Sequence, residues 1–246
     1  MDVGFIGAGR MGAPMVRRLV AAGHQVRVAN SSDDPLAAVN GARVVIVCVF
    51  NDDQVRRVCS AELLSAMAPG TVLVLHTTGD PQTARALAAA APHLKVLDAP
   101  VSGGPHDIAE GHLTLFVGGD DDAVDAARPA LSAYGDPILH VGALGAGQAV
   151  KLTNNAIFAA QIGVLTEAAR IGRELGIPET QLLGALGHGS AASRVLGLVA
   201  GAGSVGAFTG AVQQFVGKDV AVVRESVALG ALEPLLGWLD QNSDSG

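Results

Sequence analysis

Apolar positions along the chain fall into two regimes. Up to about residue 142, short apolar runs alternate with stretches of helical periodicity. The runs are residues 3–6, 25–29, 44–49, 71–75, 94–97, 111–119 and 138–141. They read as strands buried on both faces, because their apolar character is nearly continuous rather than alternating. Between them, residues 13–22, 53–67, 81–91 and 122–134 read as helices. From Gly145 onward only helical spacing remains, over residues 145–176, 179–186, 191–200, 217–229 and 233–241. The first of these is long: Val150, Ala156, Ile157, Ala160, Val164 and Leu165 recur at about 3.6-residue spacing, and Gly176 with Pro178 ends the run. The pattern predicts an α/β fold with an N-terminal Rossmann-type doubly wound parallel sheet. An all-helical C-terminal domain follows, joined by a long interdomain helix. The expected division is 1–146 and 147–246, the helix covering 147–175. Residues 201–206, rich in glycine, read as a flexible connection able to cover a site, and residues 242–246 as a frayed tail.

Composition narrows this picture. With 49% hydrophobic and 16% charged residues in 246, the chain supports a sizeable core and not disorder. Aromatics are 3%, so the core is built from Ala, Val, Leu and Gly. A net charge of −7 without a basic patch argues against nucleic acid as a partner. The longest apolar runs, such as 44–50, are too short to span a bilayer, and Met1 leads straight into a strand, leaving no room for a signal peptide. Cys48 and Cys59 lack metal-ligand spacing and read as reduced structural thiols of a cytoplasmic protein, with no metal expected.

Candidate chemistry gathers at the strand ends. Gly7, Ala8, Gly9, Arg10, Met11 and Gly12 form G-x-G-x-x-G between the first strand and the first helix. The first glycine permits the tight turn, the second lets the backbone approach a pyrophosphate, and the third lets helix and sheet pack closely. Ligands of such sheets sit at the carboxyl ends of the strands. There the chain also places Asn30, Ser31 and Ser32, then Val49, Phe50 and Asn51, then Thr77 and Thr78, then residues 98–104. Asn30 can bond a ribose hydroxyl and the two serines a phosphate, although a plain Asn-Ser-Ser turn accounts for them equally well. Ser102, Gly103 and Gly104 offer a hydroxyl and closely spaced N–H groups suited to a carboxylate; the alternative is a glycine turn. His106, His112 and His188 have no partner at catalytic spacing and read as loop or surface residues. Lysine occurs only at positions 95, 151 and 218. Lys151 and Asn155 lie one turn apart on the long helix, on one face. Alone, Lys151 reads first as a solvated lysine at a helix start; its scarcity invites a chemical role.

These motifs together resemble the β-hydroxyacid dehydrogenases, a group within the 6-phosphogluconate dehydrogenase superfamily. The matching stretches are residues 4–15, residues 98–104 with 111–119, residues 145–155, and Lys218-Asp219. The resemblance implies NAD or NADP as cofactor, with Thr78, Lys218 and Asp219 near it. It implies Lys151 as general acid/base, Asn155 beside it, and Ser102, Gly103 and Gly104 with Lys218 for a small carboxylate substrate. Gln213, Gln214 and Phe215 are expected to face that substrate. The reaction implied is hydride transfer between a nicotinamide dinucleotide and a small 3-hydroxy acid or its semialdehyde or oxoacid. Two departures stand out. Between Asn30 and Val44 the chain is shorter than the family pattern by about one helix and one strand of a βαβ unit of roughly thirty residues. The second half also stops early. No carboxylate closes the second strand, which slightly favours NADP. The small second half implies a homodimer. An imine reductase and a non-catalytic dinucleotide-binding derivative are the competing readings; the former group generally lacks the lysine, and binding alone needs no proton-transfer group.

Overall fold

A computed structural model describes residues 1–240 of the chain, so the tail at 242–246 and the end of the last expected helix at Gln241 lie outside the described residues. The chain divides into two compact units, Met1–Lys151 and one beginning at Leu152.

The first unit opens with β1 (Asp2–Ile6), α1 (Gly12–Ala21) and β2 (Gln25–Ala29). Next come α2 (Pro35–Val39), β3 (Val44–Val47), α3 (Asp52–Val58) and α4 (Ala61–Ala66). Then follow β4 (Val72–Leu75), α5 (Pro81–Ala90), β5 (Lys95–Asp98), β6 (Val101–Ser102) and α6 (Pro105–Glu110). The unit continues through β7 (Leu113–Gly118), α7 (Asp121–Leu131) and β8 (Gly135–Gly142) into α8 (Ala146–Glu174). The sheet order is β2-β1-β3-β4-β5-β7-β6, with β8 paired to β7. β2 is thus the edge, and β3 crosses to the other side of β1. This is the order left when the outer strand of a 3-2-1-4-5-6 sheet is deleted, so the short segment after Asn30 costs an edge and spares the centre.

Five strands, β2 to β5 with β1, are parallel and in register, Ile6 opposite Ala29 and Val47, and Val47 opposite Leu75, which faces Asp98. Alternate residues feed opposite faces. Phe5, Ile46, Val74 and Leu97 join Met15, Leu19, Ala127 and Leu131 on one side. Ile6, Val45, Val47 and Leu73 join Val39, Leu63 and Leu87 on the other. Burial on both faces is why these strands read as continuous apolar runs.

The structure corrects several expectations. The sheet is not wholly parallel: β7 runs antiparallel to β5 and β6, because the 98–104 turn sends the chain back. The helix expected over 53–67 is two helices, since Ser60 Oγ accepts from Leu63 N–H at 3.2 Å and caps a new start. α2 and α6 were not anticipated. Each begins with a proline in its first turn, and Asp34 caps α2. At five and six residues they are too short for periodicity to show.

The second unit continues α8 and adds α9 (Glu179–Leu186), α10 (Arg194–Gly201) and α11 (Val205–Ser226). A 3₁₀ stretch, Gly230–Leu239, closes it where an α-helix was expected. Its core joins Ala159, Ile162 and Leu165 to Leu183, Leu196, Val199, Val220 and Leu236. The Trp238 indole donates to Ala159 O at 2.9 Å. The expected flexible connection at 201–206 is corrected: Ser204 caps α11, so Val205 and Gly206 form its first turn. The helix expected over 217–229 starts earlier, at Val205, and runs through Gly206, Gly210 and Gly217, held by the burial of Phe208, Val216 and Val220. Gln213, Gln214 and Phe215 consequently sit within α11, and Gln213 Nε2 donates to Leu239 O at 3.2 Å.

Candidate active site

The G-x-G-x-x-G turn has the geometry its glycines imply. Gly7 has φ +97°, and a Cβ there would strike the Cys48 carbonyl. A Cβ at Gly12 would strike the Gly7 carbonyl, so α1 packs directly against β1. A Cβ at Gly9 would meet nothing within 4 Å. That open space lies at the start of α1, whose N-cap Met11 supplies no side-chain cap. An uncapped helix start facing an open glycine fits a pyrophosphate. Asn30 Oδ1 accepts from Ala8 N–H at 3.1 Å and ties the end of β2 to this turn. Asp33, three residues on, folds back so that its Oδ2 accepts from Asn30 N–H at 2.7 Å. Ser31 and Ser32 are exposed beside it.

The next strand ends are fastened by side chains. Thr77 Oγ1 accepts from Val49 N–H and donates to Val49 O, both at 3.0 Å, which prolongs the β3–β4 ladder. Asn51 Oδ1 accepts from Gln54 N–H at 3.0 Å and Gln54 Oε1 from Phe50 N–H at 2.9 Å. The Asn51 side-chain oxygen thus caps α3 at the end of β3. Val49 packs into the core and Phe50 stands exposed.

Asp98, at the end of β5, is fully buried. Its Oδ1 accepts from Gly145 N–H and its Oδ2 from Gln148 N–H, each at 2.6 Å. Burial pushes its carboxyl up from the usual range, against the pull of these bonds and of Arg85. It caps α8, so the strand leading to Ser102 and the helix carrying Lys151 are joined through one carboxylate. Ser102 is half-buried in β6, and Gly103 has φ +128°. Gly104 departs from expectation: its N–H donates to Asp107 Oδ2 at 2.6 Å, which commits that donor to the start of α6.

His76 had been passed over in the sequence. It is buried; its Nδ1 lies 2.6 Å from Ala99 O and its Nε2 2.7 Å from the Tyr134 hydroxyl. A carbonyl only accepts, so Nδ1 carries the proton and Tyr134 donates to Nε2. Burial lowers its pKa to about 4. Below its ordinary value of about 6.5 the unfolded chain binds a proton that the folded protein refuses. Stability from this group is complete above that value and falls as pH drops toward 4. We expect the melting temperature to decline over this interval and the decline to flatten in His76→Asn; calorimetry at stepped pH checks it, and equal slopes would refute it. The signal in the sequence was a lone histidine closing an apolar run.

In the second unit Asn155 and Asp219 are both buried. Asn155 Nδ2 donates to Asp219 Oδ2 at 2.5 Å, and Asn154 Nδ2 donates to Asn155 Oδ1 at 3.0 Å. Lys218 Nζ pairs with Asp219 Oδ1 at 2.9 Å. Asp219 is thus engaged with Asn155 and Lys218. Lys151 and Asn155 stand four residues apart on the unbroken α8, Lys151 half-buried. Among the described residues no group of His, Cys, Asp and Glu could hold a metal ion.

The chain is similar to dehydrogenases of known family. Residues 2–38 and 31–142 match the NAD binding domain of 6-phosphogluconate dehydrogenase, in two pieces that meet at the shortened segment. Residues 145–234 match the NAD-binding domain of NADP-dependent 3-hydroxyisobutyrate dehydrogenase. An NAD-dependent L-serine dehydrogenase of Pseudomonas aeruginosa is 33% identical over 97% of this chain and 89% of its own. A 3-hydroxyisobutyrate dehydrogenase of the same organism is 32% identical over 99% and 93%. Among solved structures, the Mycobacterium tuberculosis 3-hydroxyisobutyrate dehydrogenase with L-serine superposes with a TM-score of 0.86 at 28% identity, covering 97% of this chain and 92% of that one.

Proposed function

Because the chain belongs to the β-hydroxyacid dehydrogenase family, as an oxidoreductase acting on CH–OH groups with a nicotinamide dinucleotide, we propose that it interconverts a small 3-hydroxy acid and the corresponding semialdehyde or oxoacid. Lys151 serves as general acid/base. The observation that carries this reading is α8 itself, which sets Lys151 one turn before the buried Asn155 and is capped by the carboxylate at the foot of the Ser102 loop.

The dinucleotide would be held by Gly7, Ala8, Gly9, Arg10, Met11 and Gly12 at the start of α1, by Asn30, Ser31 and Ser32, by Val49, Phe50 and Asn51, and by Thr78, Lys218 and Asp219. When bound, the nicotinamide accepts or gives the hydride. Lys151 as an ammonium stabilises negative charge developing on the carbonyl oxygen and then donates its proton to it. In oxidation the neutral amine takes the hydroxyl proton. Asn155, its amide oriented by Asp219, fixes the hydroxyl or the lysine. Ser102 and Gly103 bind the carboxylate and set the distance from that anchor to the reacting carbon. Turnover measured on a panel of 3-hydroxyisobutyrate, L-serine, 3-hydroxypropionate and the matching semialdehydes, with NAD and NADP, tests the reading. Absence of turnover with every member would refute it.

Cofactor choice rests on the turn after β2. Ser31 and Ser32 can donate to a 2′-phosphate, and Asp33 adds a negative charge that opposes it. We expect NADP to bind at least as well as NAD, by a modest ratio, and Asp33→Asn to move the ratio several-fold toward NADP. Nicotinamide fluorescence titrations check both. NADH binding tighter by more than about tenfold, ~1.4 kcal/mol, would contradict the assignment.

A homodimer is the proposed assembly. Ile157, Val164, Ile171 and Leu175 are exposed on α8 at 46%, 51%, 48% and 71%. With Gln161 and Ala168 they follow a four–three spacing, the pattern of a helix seam that a second copy of the same helix can match. Sedimentation at micromolar concentration is expected to give a dimer, and Val164→Asp a monomer. A monomeric wild type would exclude it.

A further inference from the structure

Gln148 lies in the first turn of α8, one turn before Lys151, and is 3% exposed. Its side chain reaches the loop after β4. Oε1 accepts from Gly79 N–H at 3.1 Å, and Nε2 donates to Thr77 O at 2.7 Å. The orientation of the amide is settled by its partners, since a backbone N–H requires the oxygen and a carbonyl requires the nitrogen. The two bonds fall on the backbone groups flanking Thr78. One side chain thus does for this segment what a neighbouring strand would do, at the point where the ladder with β5 has ended. Gln148 is itself held, its own N–H bonded to the buried Asp98.

We infer that Gln148 is a positioning residue for the dinucleotide: it clasps the backbone on both sides of Thr78 and so fixes the cofactor-facing loop to the helix that carries Lys151. A buried amide pairing with two backbone groups is costly to break, because removing it leaves a buried N–H and a buried carbonyl unpaired. An apolar side chain of the same size would fill the space but leave the Gly79 N–H and the Thr77 carbonyl unpaired. Thr77 Oγ1 on Val49 and Asp52 Oδ2 on Asp80 N–H hold the ends of this loop, and Gln148 holds its middle. The inference rests on the proposed placement of Thr78 at the cofactor.

The test is a double-mutant cycle on cofactor affinity, read by nicotinamide fluorescence well below the melting temperature of each variant, so that no substrate is needed. Thr78→Ala and Gln148→Met are each expected to raise the Kd for NADPH or NADH by about tenfold. The double variant is expected to be no weaker than the weaker single one, because Gln148 acts through Thr78. Gln148→Glu keeps the shape and the Gly79 bond but sets a carboxylate oxygen against the Thr77 carbonyl. It is expected to weaken binding in the same non-additive way, and it carries the test should the methionine variant not fold. Unchanged affinity in both Gln148 variants would overturn the inference, and so would losses that multiply in the double variant. Unchanged affinity in Thr78→Ala, with Gln148 variants impaired, would instead remove Thr78 from the cofactor site and overturn the placement on which the inference stands.

Discussion

Lys151→Ala is expected to lower turnover by about 100-fold or more, the scale of a lost general acid/base. The reduced dinucleotide should still bind within about threefold of wild type, because this side chain is not among its proposed contacts. Lys151→Arg should fare little better, since a guanidinium keeps its charge but does not give up its proton at working pH. Steady-state rates with the best substrate of the panel, beside a fluorescence titration, separate the two effects. Near-normal turnover in Lys151→Ala would remove the residue from the chemistry.

Asp98→Ala is expected to destabilise the protein by about 3 kcal/mol, lowering the melting temperature by roughly 6–12 °C. The carboxylate is fully buried and accepts two N–H groups at 2.6 Å, and those donors become buried and unpaired in the variant. Gly118 and Gly147 are shaped around it: a Cβ at Gly147 would come within 2.9 Å of its Oδ2. Desolvation of the charge offsets part of the gain, which is why the expected loss is smaller than two charged hydrogen bonds would suggest. The same change frees the first turn of α8, so kcat should fall further than cofactor affinity does. A melting temperature within about 1 °C of wild type would show that α8 is capped by other means.

The shortened segment after Asn30 has a limited structural consequence. It removes the outer strand beyond β2, and the family match falls into two pieces that overlap at this point. The parallel centre, which carries the glycine turn and the strand ends, stays in register across β2, β1, β3, β4 and β5.

The class of the fold and the place of the glycine turn were legible in the residues alone. Continuous apolar runs bounded by turn residues report burial on both faces of a sheet, and G-x-G-x-x-G reports backbone approaches that only glycine permits; both are local properties. The long helix was legible for the same reason, since 29 residues of helical spacing dominate any local alternative. What the polar residues do emerged only with the fold. Asp98, Gln148 and His76 find their partners across separations of 47 to 71 residues, or 23 and 58 for the histidine. No spacing rule reaches that far. The fold also decided the continuity of α11 through three glycines and the division of the 53–67 stretch at Ser60, where packing and capping overrode intrinsic propensity. Burial makes an unpaired donor or acceptor expensive, so each of these side chains is committed to whatever backbone group the fold sets in front of it. That assignment exists only once the chain has folded.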